Sequence, residues 1–172
     1  NDGTTTKLGN YSSGGAAIGL EGKFRFVRVL YLGGLLQAEG YGEGSATKVG
    51  DRTSSGGIAA LTGGWISNPD GFGVIMNLGV GYRWYGLERS VAIIGTTQKV
   101  REEAAGGAFQ LGFGLHIKTG KVFRLIPKVE VDFASLTNTS PNVGVAEGKV
   151  STRFIFIGLA GDFDINLDKS GK

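Results

Sequence analysis

Phe72-Gly73-Val74-Ile75-Met76-Asn77-Leu78-Gly79-Val80-Gly81-Tyr82-Arg83-Trp84-Tyr85 is the stretch that decides the fold. Its even positions, from Phe72 through Val74, Met76, Leu78, Val80 and Tyr82 to Trp84, are all apolar, whereas Gly73, Asn77, Gly79, Gly81 and Arg83 lie between them. Successive side chains of a strand point to opposite faces, so this period of two predicts a strand and not a helix. The pattern recurs. Ala16, Ile18, Leu20, Phe24 and Phe26 oppose Ala17, Gly19, Glu21, Lys23 and Arg25. Leu30, Leu32, Leu36 and Ala38 oppose Gln37, Glu39, Tyr41 and Glu43. Further along, Phe109 to Ile117 sets Phe109, Leu111, Phe113 and Leu115 against Gln110 and His116, and Phe123 to Phe133 sets Leu125, Val129 and Val131 against Arg124, Lys128, Glu130 and Asp132. Ile155, Ile157, Leu159 and Phe163 alternate with Phe154, Phe156, Gly158 and Asp162 in a last run, and Ile58 to Ile66 is apolar without a settled phase. Seven long runs are visible.

Composition narrows what such strands can build. The chain has 172 residues, of which 32 are Gly, far above the ordinary share of about 7%. Ten Phe, five Tyr and two Trp are too many for a disordered chain, and three Pro are too few for a collagen-like or polyproline one. Zero Cys removes disulfides, zinc-thiolate sites and thiol nucleophiles. With 18 Lys+Arg against 15 Asp+Glu, the charge of +3 is spread along the chain and forms no nucleic-acid tract. The uninterrupted apolar stretches, such as Val29 to Leu36, are too short for a membrane-spanning helix. Asn1 is not an initiator Met, which suits a chain lying downstream of a leader.

The connections alternate in length. Phe26 to Arg28, Ser67 to Gly71 and Lys118 to Lys121 are short, with turn-forming residues, whereas Gly44 to Ser55, Gly86 to Ala104 and Thr137 to Glu147 are expected as long polar loops. Short turns at one end and long loops at the other are the layout of an all-β, antiparallel, up-and-down transmembrane β-barrel. A soluble ligand-binding barrel shares the alternation, with its apolar face turned inward. Three features favour the membrane form. The faces between the apolar ones are crowded with Gly and mixed charge, as a narrow lumen requires. Apolar positions run five to seven deep. Aromatics sit at both ends of the apolar faces: Phe24, Phe26, Trp65, Phe72, Phe123 and Phe163 near the short turns, and Tyr82, Trp84, Phe109 and Phe133 toward the long loops. Two aromatic girdles flanking an apolar band of about 25 Å are what a bilayer selects. The expected organisation is a polar segment over 1–13, a barrel over 14–167 and a polar tail over 168–172.

This architecture resembles the small outer-membrane β-barrel proteins of Gram-negative bacteria, the OmpA-, OmpX- and OmpW-like eight-stranded barrels, over residues 14 to 167. The resemblance is one of layout and rests on no signature motif; the last run continues past Phe163 into Asn166 to Lys172 and does not end on the aromatic residue such barrels carry. It implies residence in the bacterial outer membrane, lipid as the principal partner, and about eight strands. The eighth is expected from Thr4 to Tyr11, from a lost upstream segment, from another chain, or from a different division of the seven runs.

Candidate chemistry is sparse. The lone His116 falls on the inner face near a short turn, where a hydrogen-bonded lumen residue is the ordinary role, and without Cys or a second His no metal cluster has suitable spacing. Gly40 to Gly44 opens no helix and carries no Lys-Ser/Thr, so it is not a phosphate cradle. No catalytic residue and no cofactor is expected. Glu21, Lys23, Arg25, Glu39, Arg83, Lys128, Glu130 and Asp132 are expected as a lumen charge network, because buried charges persist only when paired. The functional expectation is a non-enzymatic outer-membrane barrel acting through its exposed loops or through envelope partners. The alternatives are a narrow pore for small solutes or apolar molecules and a soluble ligand-binding barrel.

Overall fold

The computed structural model describes residues 12–43, 52–93, 95–120, 123–139 and 149–163. Seven strands form one sheet: β1 (Ser12–Val27), β2 (Leu30–Glu43), β3 (Arg52–Ile66), β4 (Gly73–Ile93), β5 (Thr96–Lys118), β6 (Phe123–Asn138) and β7 (Lys149–Phe163). Their order in the sheet is their order in the chain, and every neighbouring pair is antiparallel. The described residues are therefore an all-β, up-and-down meander containing no helix. Thr4 to Tyr11, the candidate for an extra strand, lies outside the described residues, as do most of the expected Gly44 to Ser55 and Thr137 to Glu147 loops.

The alternation sets the faces. Ile18, Leu20, Phe24, Leu32, Leu36, Met76, Leu78, Val80, Phe113, Ile155 and Ile157 are exposed on the convex side. Glu39, Asn77, Arg83, Gln110, Glu130 and Asp132 are buried on the concave one. In water such an outer surface would be far larger than the apolar patches a soluble protein tolerates; against acyl chains it is the stable arrangement. The unsettled run, Ile58 to Ile66, takes its phase from its neighbours. Pairing of Ala59 with Leu36 and Tyr82 keeps Ala59, Leu61 and Trp65 outward and turns Ile58, Ala60, Thr62 and Ile66 inward. A strand between two neighbours of fixed face has no other choice, since a one-residue slip would reverse every side chain.

One expected loop is strand instead. Gly86 to Ala104 is not a long polar loop. β4 continues to Ile93 and β5 begins at Thr96, with Arg89 paired to Val100 and Ile93 to Thr96. The physical reason is in the residues: Val91, Ile93, Thr96, Thr97 and Val100 are β-branched and favour extended backbone. Gly95, at φ 82°, turns the chain where an L side chain would be strained. Past the Arg52–Arg89 pair, β4 has no partner on its β3 side among the described residues. Past the contact from the Thr139 N–H to the Glu103 carbonyl, β5 has none described on its β6 side. Among the described residues the tip is thus a two-stranded hairpin extending beyond the paired parts of β3 and β6.

The interior is layered. Tyr31, Ile66, Ile75 and Ile126 form an apolar floor near the short turns, and Tyr85, Leu87, Ala134 and Leu136 form another layer toward the long-loop end. Between them lie the charges.

Candidate functional site: the charged interior

Arg83 sits in mid-strand on β4, facing inward because Tyr82 and Trp84 face out. Its side chain is fully buried. Nη1 donates to Asp132 Oδ2 at 2.5 Å on β6, and Nη2 donates to both carboxylate oxygens of Glu39 on β2, with Oε1 at 2.5 Å. In a flat sheet those partners would stand two strand spacings away on either side, about 9.6 Å. The guanidinium reaches both because the sheet curls around it. Around this ion triad, Gln37 Nε2 donates to Glu39 Oε1 at 2.8 Å, the Tyr41 hydroxyl donates to Glu39 Oε2, and the ring of Phe154 lies 3.9 Å from the Arg83 guanidinium carbon. Gln110 pairs with Asp132 in the β5–β6 register and is itself fully buried.

A second tier lies nearer the short turns. Lys128 Nζ is 2.7 Å from Glu130 Oε1 and 3.9 Å from Glu21 Oε2, and Glu21 also takes Lys23 at 3.2 Å and the Thr62 hydroxyl at 3.2 Å. Asn77 donates to Glu130 at 3.4 Å, and Lys23 stands over the Tyr31 ring at 5.3 Å. The Lys128–Glu21 pair joins β6 to β1, and the Tyr41–Phe154 ring contact at 5.8 Å joins β2 to β7. Side chains therefore bridge the two ends of the sheet across its concave side.

Each sequence-predicted residue has a definite place. Glu39, Arg83 and Asp132 meet in the upper tier; Glu21, Lys23, Lys128 and Glu130 meet in the lower one. Arg25 is half-buried on the same face. His116 is fully buried at the floor, with Nδ1 3.3 Å from the Gly71 carbonyl. Phe24, Phe26, Trp65, Phe72, Tyr82, Trp84, Phe109 and Phe133 are exposed on the convex face, and the side chain of Phe163 lies outside the described residues. Sequence reasoning did not single out Gln37, Tyr41, Thr62, Asn77, Gln110 or Phe154, which complete the polar network. Their inward parity was the available signal. Among the described residues no three His, Asp or Glu side chains stand together as metal ligands.

The lower tier sets Glu21 and Glu130 against Lys23 and Lys128, the upper tier sets two carboxylates against the single Arg83 guanidinium, and these pairs tie strands together across the concave side. Buried ion pairs of this kind are costly to desolvate and very costly to break. A search among known proteins found no matching curated protein and no matching solved structure. The family described as the autotransporter β-domain, however, matches residues 1–167. With all but the last five residues matched and an apolar belt wrapped around a polar interior, the chain belongs to the autotransporter β-domain family, a transmembrane β-barrel of the bacterial outer membrane.

Proposed function

We propose that this β-domain is a non-enzymatic, non-conducting membrane anchor that presents its long-loop end to other parts of the envelope. The observation that carries this is the Arg83 triad: β2, β4 and β6 are tied together through side chains, with Phe154 laid over the guanidinium, so the interior at that level is filled. About eight strands leave a lumen that side chains just fill, and a wide aqueous channel needs many more. The eight-strand size of the OmpA-, OmpX- and OmpW-like barrels is part of this proposal. The β4–β5 hairpin supports the presenting role, since it extends past its neighbours at the end where outer-membrane barrels keep their extracellular loops.

Planar-bilayer recording tests it. Wild-type protein should give no stable conductance steps, whereas Glu39→Ala/Arg83→Ala/Asp132→Ala, which empties the upper tier, should give small ones. Stable steps from wild-type protein would replace the anchor with the narrow-pore alternative.

A further inference from the structure

The outward positions of β6 and β7 change character toward the long-loop end. Phe133 pairs with Arg153, Ser135 with Ser151 and Thr137 with Lys149, and all six side chains are exposed on the convex face. Two cations and three hydroxyls thus follow Phe133 and Ile155 along the strands, with no carboxylate at an outward position among them. Arg153 differs from the other basic residues. Arg83, Lys23, Lys128, Lys99, Arg101 and Arg28 each meet a carboxylate. The Arg153 guanidinium instead lies over the Phe133 ring, 5.3 Å from its centroid, and forms no ion pair among the described residues.

Height decides what such a cation meets. Barrel strands cross the bilayer tilted, so residues paired in register stand at different depths. The upper limit of the apolar belt follows that tilt. It is Trp84 on β4, but on β5 it is Phe109, four positions below the Ala105 that pairs with Trp84. On β6 the limit is Phe133, directly paired with Phe109, and on β7 it is Ile155, with Arg153 the next outward position. Arg153 is therefore the first residue above the belt on its strand, at the level where the aromatic row marks the headgroups. Lys149 stands four residues beyond it, about 14 Å further along the strand on the aqueous side at about 3.4 Å per residue.

The anionic group of a bilayer at that level is lipid phosphate. A guanidinium presents a planar fork of donors that matches phosphate oxygens, and stacking on an aromatic ring fixes the plane of the fork. The Ser151 and Ser135 hydroxyls, one outward position above, are further donors. We infer that Arg153, held on Phe133 and flanked by Ser151 and Ser135, binds the phosphate of a lipid headgroup in the leaflet on the long-loop side, with Lys149 adding attraction from above. The acyl chains of that lipid run down over Ile155, Ile157 and Leu159, all exposed on the same face. A phosphate monoester, with a charge of about −2 near neutral pH, is preferred to a zwitterionic headgroup. The inference rests on the membrane belt and not on a filled interior, so conductance through the wild-type protein would leave it standing.

Native mass spectrometry of the chain folded in detergent tests it, with dioleoyl phosphatidic acid as the probe and dioleoyl phosphatidylcholine as the comparison with the same acyl chains. Wild-type protein should retain phosphatidic acid about tenfold better, and Arg153→Gln should abolish that preference. Arg153→Lys, which keeps the charge without the fork, and Phe133→Leu, which removes the ring beneath it, should each lose part of it. These two conservative variants carry the test if Arg153→Gln fails to fold, which far-UV circular dichroism would show. Arg28→Gln, at the short-turn end, should lose none. Inorganic phosphate in excess should not displace the lipid, because it lacks the acyl chains that the belt holds. Equal retention of the two lipids by wild-type protein, or a preference unchanged by the Arg153 and Phe133 substitutions, would overturn the inference. Displacement by inorganic phosphate would overturn the lipid as the source of the phosphate.

Discussion

Replacing Arg83 with alanine leaves Glu39 and Asp132 buried without their cation, and an uncompensated buried carboxylate is among the most costly defects a fold can carry. Arg83→Ala should therefore lower stability by about 3–5 kcal/mol in reversible unfolding from lipid vesicles. Neutralising the carboxylates together with it, as in Glu39→Gln/Arg83→Met/Asp132→Asn, should recover most of that loss. If the triple variant is no better than Arg83→Ala, the triad is not the seat of the effect. On the opposite face, Leu78→Arg in the middle of the lipid-facing row should cost about 2–4 kcal/mol. Asn77→Ala beside it removes one amide hydrogen bond to Glu130 and should cost about 1 kcal/mol. Equal losses would mean that the faces are inverted. At this scale the sequence was informative about direction and silent about partners. Arg83 between Tyr82 and Trp84 had to face inward by parity alone, but whether it met Glu39, Glu21 or Asp132 depends on how far neighbouring strands are staggered, and no local pattern encodes that stagger. Tyr41 and Phe154, which close the triad, come from strands that are not neighbours.

Strands β4 and β5 show where local pattern misleads. Charged and small residues in Gly86 to Ala104 resemble a loop, yet β-branched residues on both sides of Gly95 zip into a hairpin whose outer edges pair with no other described residue. Lys99 with Glu88 at 3.0 Å, and Arg101 with Glu103 at 2.6 Å, are solvent-exposed pairs worth at most about 1 kcal/mol each, and an isolated two-stranded hairpin is marginal. Trypsin added to intact cells should therefore cut first at Lys99 or Arg101, leaving the membrane-embedded strands intact. Cutting at Lys118 in the short-turn region without cell permeabilisation would reverse the assigned orientation. Gly95→Val, which places a β-branched side chain at positive φ, should speed that cleavage several-fold and leave global unfolding unchanged, because the strain of about 1–2 kcal/mol is confined to the tip. The other elements were legible because each repeats its alternation for most of its length. The one ambiguous run, β3, needed its neighbours to fix its phase.

Across the whole molecule the two tryptophans offer a ruler for the membrane belt. Trp65 pairs with Met76 and Trp84 lies on the same strand as Met76, eight residues further along, so their levels differ by about 27 Å along the strand at about 3.4 Å per residue. A strand tilt near 40° reduces this to about 21 Å along the membrane normal, close to the height of an apolar band of about 25 Å. Both indoles are exposed on the convex face, where amphipathic rings settle at the headgroup boundary. Single-tryptophan proteins made by Trp65→Phe or Trp84→Phe should then behave alike in vesicles carrying lipids brominated at defined depths. Each should be quenched most strongly by bromines near the headgroups and least by those at the bilayer centre. An aqueous quencher added only outside right-side-out vesicles should reach Trp84, on the long-loop side, in preference to Trp65. Maximal quenching of either indole at the bilayer centre would place the belt about ten ångströms from where the two aromatic rows put it. Equal quenching of both from the aqueous side would show that the convex face does not lie against lipid.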